Sequence, residues 1–169
     1  MNAMNAMHDH VVIGCGGGGT WLAAKLAKLV GPERLMFVDG DIFEPKNIDR
    51  QLFDEHLVGR KKAEAVCDTY PESACDNDYF SCDSLDLSSE DILFCCADNH
   101  ACRKEVLLAC DQYDCRAVIL GNEYTDAEAY WYESSWKDTP NDPRVFYPAI
   151  NTDRSGDPLG PPGLVAGSR

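Results

Sequence analysis

No apolar run in the 169-residue chain exceeds a few residues, so nothing approaches the roughly 20 residues that a membrane-spanning helix needs. Positive charge is also scarce. Fifteen lysines and arginines face twenty-nine acidic residues, a formal charge of −14, which opposes adhesion to nucleic acid or anionic lipid. No basic opening followed by an apolar core precedes His10, so the N-terminus does not read as a secretory signal and a cytoplasmic location is expected. The paired C-x-x-C spacing of a structural zinc site is missing; the nearest approach is Cys110 and Cys115, with four residues between them. Cysteine itself is plentiful at nine, and without a secretory signal these read as reduced, mostly buried thiols rather than disulfides or zinc ligands. There is no internal repeat.

What is present is an alternation of short apolar runs and helical patterns in a length that fits one domain, residues 1–169. His10 to Cys15 predicts a strand ending in glycines, and the apolar residues Trp21, Leu22, Leu26, Ala27 and Val30 predict a helix after it. Gly31-Pro32 stops that helix, and Arg34 to Asp39 predicts a second strand. Gly40 to Gly59 is polar and irregular, and a loop of that length in a compact domain points to function. A helix is expected over Lys61 to Tyr70, a short strand over Asn77 to Cys82, and a buried central strand over Asp91 to Cys96. Asn99 to Cys110 predicts a helix, Ala117 to Gly121 a buried strand, and Ala127 to Tyr132 an antiparallel one, because only a handful of residues connects the last two. The fold class is therefore α/β and Rossmann-like, a mostly parallel sheet with a mixed antiparallel edge and helices on both faces. From about residue 137 to 169 the chain is rich in proline and glycine and is expected to be extended or mobile. Tyr130, Trp131, Tyr132 and Trp136 read equally as an interface or as packing within the domain.

Four signatures follow one another along this framework. Gly14-x-Gly16-x-x-Gly19 lies between a strand and a helix, where its amides and the helix N-terminus form a cradle for phosphate. Asp39 ends the second strand about 20 to 25 residues later, the place for a carboxylate that accepts hydrogen bonds from ribose hydroxyls; Asp41 either assists the same site or shapes the turn. Arg50 and a lysine beyond it are superfluous to a dinucleotide site but suit a triphosphate, whose phosphates gain negative charge when the α-phosphorus is attacked. Asn47 and Gln51 add hydrogen bonds in the same loop. Asp98, after Phe94-Cys95-Cys96-Ala97, stands where a carboxylate can hold magnesium between phosphates. Taken singly, Arg50, Arg60, Lys61 and Lys62 read as solvated surface charge and Asp98 as a helix cap; their order is what points to ATP and magnesium.

In that order the chain resembles the ThiF/MoeB/HesA family, the adenylating domain shared with ubiquitin-activating enzymes. The matching pieces run from Val11 to Trp131: Gly14-Cys15-Gly16-Gly17-Gly18-Gly19, Asp39-Gly40-Asp41, Asn47-Ile48-Asp49-Arg50-Gln51, Gly59-Arg60-Lys61-Lys62, and Cys96-Ala97-Asp98-Asn99 with Arg103. The resemblance implies ATP-dependent adenylation of the C-terminal carboxylate of a ubiquitin-like or sulfur-carrier protein, with pyrophosphate released, by a homodimer. Carried over by position, Gly14, Gly16, Gly17, Gly19, Asp39, Asp41, Asn47, Arg50, Gln51, Lys62 and Asn99 bind the nucleotide. Arg50, Lys62 and Asp98 carry the chemistry, with Asp98 holding magnesium. Lys62 is preferred to Lys61 because it fits the family's Gly-x-x-Lys spacing.

The chain departs from the family pattern in three ways. No arginine precedes Val11, both C-x-x-C pairs are absent, and no cysteine follows Cys115, so adenylation is expected without thioester transfer. The C-terminal part of the family fold is expected to be missing. Two other readings stay open: a noncatalytic scaffold that binds a carrier protein, and an NAD-dependent Rossmann oxidoreductase, which would use the glycines and Asp39 but leave Arg50, Lys62 and Asp98 without roles.

Overall fold

A computed structural model describes residues 8–52, 54–122 and 127–151. Six strands form one sheet in the order β3-β2-β1-β4-β5-β6. They are β1 His10–Ile13, β2 Leu35–Val38, β3 Ala74–Asp76, β4 Ile92–Cys95, β5 Arg116–Asn122 and β6 Ala127–Glu133. β1 and β3 both run parallel to β2, and β5 runs parallel to β4. β6 is antiparallel to β5, from Arg116 opposite Glu133 to Asn122 opposite Ala127. This is the Rossmann-like α/β sheet with a mixed edge that the sequence predicts. Packing divides the chain into two compact units, one up to Tyr79 and one from Phe80 onward.

In the first unit β1 and β2 are almost wholly apolar and buried, with Val12, Leu35 and Phe37 fully enclosed, as strands covered on both faces require. Helix α1, Gly17–Leu29, opens with three glycines, which have poor helix propensity. It is held instead by a buried stripe of Gly19, Thr20, Ala23 and Leu26 at the spacing of one helix face. Gly31, with a φ of +92°, and Pro32 turn the chain out of it. Helix α2, Lys62–Thr69, packs on β2 and β3 through Ala63, Ala65 and Val66.

The third strand is a correction. The sequence predicts a short strand over Asn77 to Cys82, but β3 ends at Asp76, and residues 77–82 carry no strand. The Asp39 N–H to Asp76 carbonyl bond at 3.1 Å is the last of the β2–β3 ladder, after which the Asp76 carboxylate accepts the Asp78 N–H at 3.0 Å, the local turn that aspartate favours. Lys61 then occupies the Asn77 carbonyl at 3.2 Å.

In the second unit α3, His100–Tyr113, packs on β4, β5 and β6. Its N-cap is Asn99, whose Oδ1 accepts the Cys102 N–H at 2.8 Å, and Asp114 ends it with a φ of 57°. His100, Arg103, Val106, Leu107 and Cys110 form its buried stripe. Beyond β6 the sequence predicts extended or mobile chain, whereas a short helix α4, Pro143–Phe146, and a 3-10 turn, Pro148–Asn151, are present. Asp142 caps α4 by accepting the Arg144 N–H at 2.8 Å, and Pro143 supplies the fixed φ suited to a first helical turn. The remainder of that stretch, 152–169, lies outside the described residues.

Arg144 fastens α4 to the rest of the unit. Its guanidinium donates to the fully buried Asp142, to Asp111 at 2.7 Å, and to the Tyr132 hydroxyl. Tyr132 is itself fully buried and donates to Asp111 at 2.5 Å, so this aromatic is packing. Trp131 is 39% exposed.

Candidate functional site

The first unit gathers most of the candidate residues around the mouth of β1 and β2. Gly14 follows β1 with a φ of +92°, a backbone state that costs any other residue, and its N–H donates to the Val38 carbonyl at 2.8 Å. That bend delivers the chain to Gly16, the N-cap of α1, which has no capping side chain and no acidic residue in its first turn. The amides of Gly17, Gly18 and Gly19 precede the first intrahelical bond, Thr20 N–H to the Gly16 carbonyl, and so have no partner within the helix. A side chain built on Gly18 would meet nothing within 4 Å. The result is an open, positively polarised helix end.

The 47–51 segment lies against this end. A side-chain carbon on Gly17 would come within 3.3 Å of the Arg50 carbonyl, and one on Gly16 within 3.8 Å of the Gln51 side-chain nitrogen. Thr20, which the sequence reading missed, makes the join: its hydroxyl donates to the Gly16 carbonyl at 3.0 Å and accepts the Leu52 N–H at 3.3 Å. Asn47 is 2% exposed and accepts the Glu44 N–H at 2.9 Å, so its side chain shapes the loop. Gln51 is 6% exposed, yet its Oε1 has no hydrogen-bond partner among the described residues, a costly arrangement unless something outside the chain supplies a donor. Arg50 is exposed and enters no ion pair among the described residues.

Asp39 ties the glycine loop to the turn after β2. Its carboxylate accepts the Cys15 N–H at 2.6 Å and the Asp41 N–H at 2.8 Å. Burial pushes its pKa above the ordinary carboxylate value, more than the nearby Lys62 charge and the two backbone donors pull it down. Asp41 accepts from Lys62 Nζ at 2.9 Å and from the Tyr79 hydroxyl at 2.7 Å. Partial burial raises its pKa, but the Tyr79 and Lys62 hydrogen bonds outweigh it and hold the group below the usual range. Lys62 is 8% exposed and opens α2. Its neighbour Lys61 turns the other way, onto the carbonyls of Gly40 at 2.6 Å and Asn77. The two lysines therefore have different tasks, which the spacing alone does not separate. Tyr79 was also missed: its ring lies where a side chain on Gly40 would come within 2.8 Å, so glycine is needed there for close approach. An isolated exposed tyrosine far along the chain gives no sequence signal of such a contact.

The other two candidates lie in the second unit. Asp98 follows β4 and is exposed, with no ion pair among the described residues. Asn99 spends its side-chain oxygen on capping α3. No group of three or more potential metal ligands occurs among the described residues. A lone exposed carboxylate nevertheless suits magnesium, which keeps several waters and takes one or two carboxylates together with phosphate oxygens.

Comparison with known proteins follows the same lines. The ThiF family model matches residues 4–135, and no curated protein matches the chain. Among solved structures, a selenomethionine crystal structure of PaaA has a TM-score of 0.59 at 22% identity, over 76% of this chain and 43% of that one. Escherichia coli MccB, crystallised with AMPCPP and MccA, has a TM-score of 0.58 at 21% identity, over 76% and 42%. The chain thus spans less than half the length of these structures, and the likeness is one of fold.

Proposed function

The chain belongs to the ThiF family, and on that premise we propose that it is an ATP-dependent adenylyltransferase acting on the C-terminal carboxylate of a ubiquitin-like or sulfur-carrier protein, as part of a homodimer. The observation that carries the nucleotide reading is the bare N-terminus of α1 with the Gln51 side chain over it, buried and with an Oε1 that has no partner among the described residues. That pairing of an anion cradle with an unused polar group fits a bound phosphate ester and its ribose. MccB was crystallised with AMPCPP, an ATP analogue, and with MccA, which supports a nucleotide and a peptide or protein substrate for this chain as well.

In this reading Gly16, Gly17 and Gly19 receive phosphate oxygens, Asp39 the ribose, and Asn47 supports the loop that presents Arg50 and Gln51. Lys62, held by Asp41, faces the α-phosphate region, and Asn99 sets the turn that carries Asp98. Asp98 would hold magnesium, which would supply neutralisation of the phosphate charge. The chain's own contribution is positioning and charge: Arg50 and Lys62 offset the negative charge that grows on the phosphates as a carboxylate attacks. An NAD site would leave Arg50, Lys62 and Asp98 idle.

The test is calorimetric titration of Asp98→Asn beside the parent chain. Asp98→Asn should lose most of the magnesium dependence of ATP binding while melting at the parent's temperature, since Asp98 is exposed and has no ion pair among the described residues. Unchanged magnesium dependence would remove Asp98 from the site.

A further inference from the structure

The nine cysteines are free thiols, and two of them meet where α3 ends. Asp114 leaves the helix in the left-handed conformation, with a φ of 57°. Such an exit brings together the side chains of the residue four before it and the residue just after it. Here these are Cys110 and Cys115, whose sulfurs stand 3.7 Å apart and share a hydrogen bond. Most exits of this kind put two inert apolar side chains in contact, whereas both partners here carry a sulfur that can be oxidised.

Both side chains are fully buried, Cys110 on the inner stripe of α3 and Cys115 immediately before β5. Gln112 and Asp114, between them, are exposed. Opening this turn frays one helix end and leaves the sheet closed, and such a local opening costs far less than global unfolding. A small uncharged oxidant therefore reaches the pair without unfolding the chain. The sulfurs of a disulfide are about 2.05 Å apart, so rotation of the two side chains has only a short gap to close.

We propose that Cys110 and Cys115 are a redox pair, closed by hydrogen peroxide to an intramolecular disulfide that ties the last turn of α3 to the start of β5, and reopened by a dithiol. Cys115 reacts first. Consistent with that order, the hydrogen bond with Cys110 pulls the Cys115 pKa below the ordinary thiol value, against burial and the Asp91 charge, while the same bond and burial push Cys110 up. The Cys115 thiolate attacks one peroxide oxygen: an S–O bond forms, the O–O bond breaks, and hydroxide leaves and is protonated to water. Cys115 is now a sulfenic acid, oxidised by the two electrons that the peroxide has gained. The Cys110 sulfur then attacks it, forming S–S and breaking S–O, and the departing hydroxide takes the Cys110 proton as a second water. With Cys110 already in contact, this condensation precedes any second oxidation to sulfinic acid. A dithiol reverses the step by exchange and leaves as its own disulfide. The link lies beside Asp111, which holds Arg144 and Lys137, and it stands whether or not the chain binds ATP.

The test uses the full folded chain. After peroxide treatment, the remaining thiols are alkylated in denaturant and trypsin releases residues 105–116, which contain Cys110 and Cys115 and no other cysteine. This fragment should lose both alkylation sites and weigh two hydrogens less than its reduced form, and dithiothreitol before alkylation should restore both sites. Recovery of the fragment with both thiols alkylated, with a sulfinic acid, or joined to another fragment would overturn the proposal. The single variants check the order of events. In Cys110→Ser, peroxide should leave Cys115 as a sulfenic acid that dimedone traps, whereas in Cys115→Ser, Cys110 should stay reduced and alkylate in full. Dimedone on Cys110 and none on Cys115 would contradict the assigned step. If either variant fails to fold, the parent fragment still decides whether the disulfide forms.

Discussion

Arg50 and Lys62 are both cations that the order of motifs singled out, yet the fold treats them in opposite ways. Lys62 is buried and paired with Asp41, whereas Arg50 is exposed and enters no ion pair among the described residues. Replacing Arg50 with alanine should therefore leave the melting temperature almost unchanged, as for most exposed positions. ATP should bind about tenfold more weakly, the worth of one charge-assisted hydrogen bond; calorimetry on a variant of unaltered stability would show it. Asp41→Asn should behave differently, because it leaves the Lys62 ammonium without its counter-charge. Since the Asp41 side chain is 50% exposed, the cost should be modest, about 1 kcal/mol in denaturant unfolding. The folded Asp41 pKa is lowered, so the parent's advantage should be full above the unfolded aspartate pKa of about 3.9 and vanish as pH falls through the folded value.

At the scale of elements, what was legible in the sequence is what local chemistry determines. The glycine loop, the strands from His10 and Leu35, and the helix expected from Asn99 each carry their signal within a few residues, and each was placed to within a turn, although the cap of that helix is Asn99 and not Asp98. The short strand was misplaced because beyond Asp76 the Asp78 N–H turns back to the Asp76 carboxylate and Lys61 takes the Asn77 carbonyl, and Lys61 is distant in sequence. The same reason hid Thr20 and Tyr79 from the site, and the helix after Asp142 from the proline-rich stretch. That helix supplies a prediction of its own. Asp142 is fully buried, caps α4 and pairs with Arg144, so Asp142→Ala removes a cap and one of the two carboxylates that hold Arg144, leaving Asp111. Unfolding in denaturant should be easier by about 2 kcal/mol, and Asn99→Ala, which removes only the cap of α3, by about 1 kcal/mol.

On the scale of the whole molecule, a chain with a formal charge of −14 repels a polyphosphate at long range, so nucleotide affinity has to come from short-range chemistry: helix amides, Arg50, Lys62 and a bridging cation. The fold alone does not choose among nucleotides, since dinucleotides also use a glycine loop and a carboxylate at the end of the second strand. The most direct measurement of the central claim is calorimetric titration of the chain with ATP in the presence and absence of magnesium, followed by NAD. The account predicts magnesium-dependent binding of ATP and none of NAD. Binding of NAD without ATP, or of neither, would contradict it.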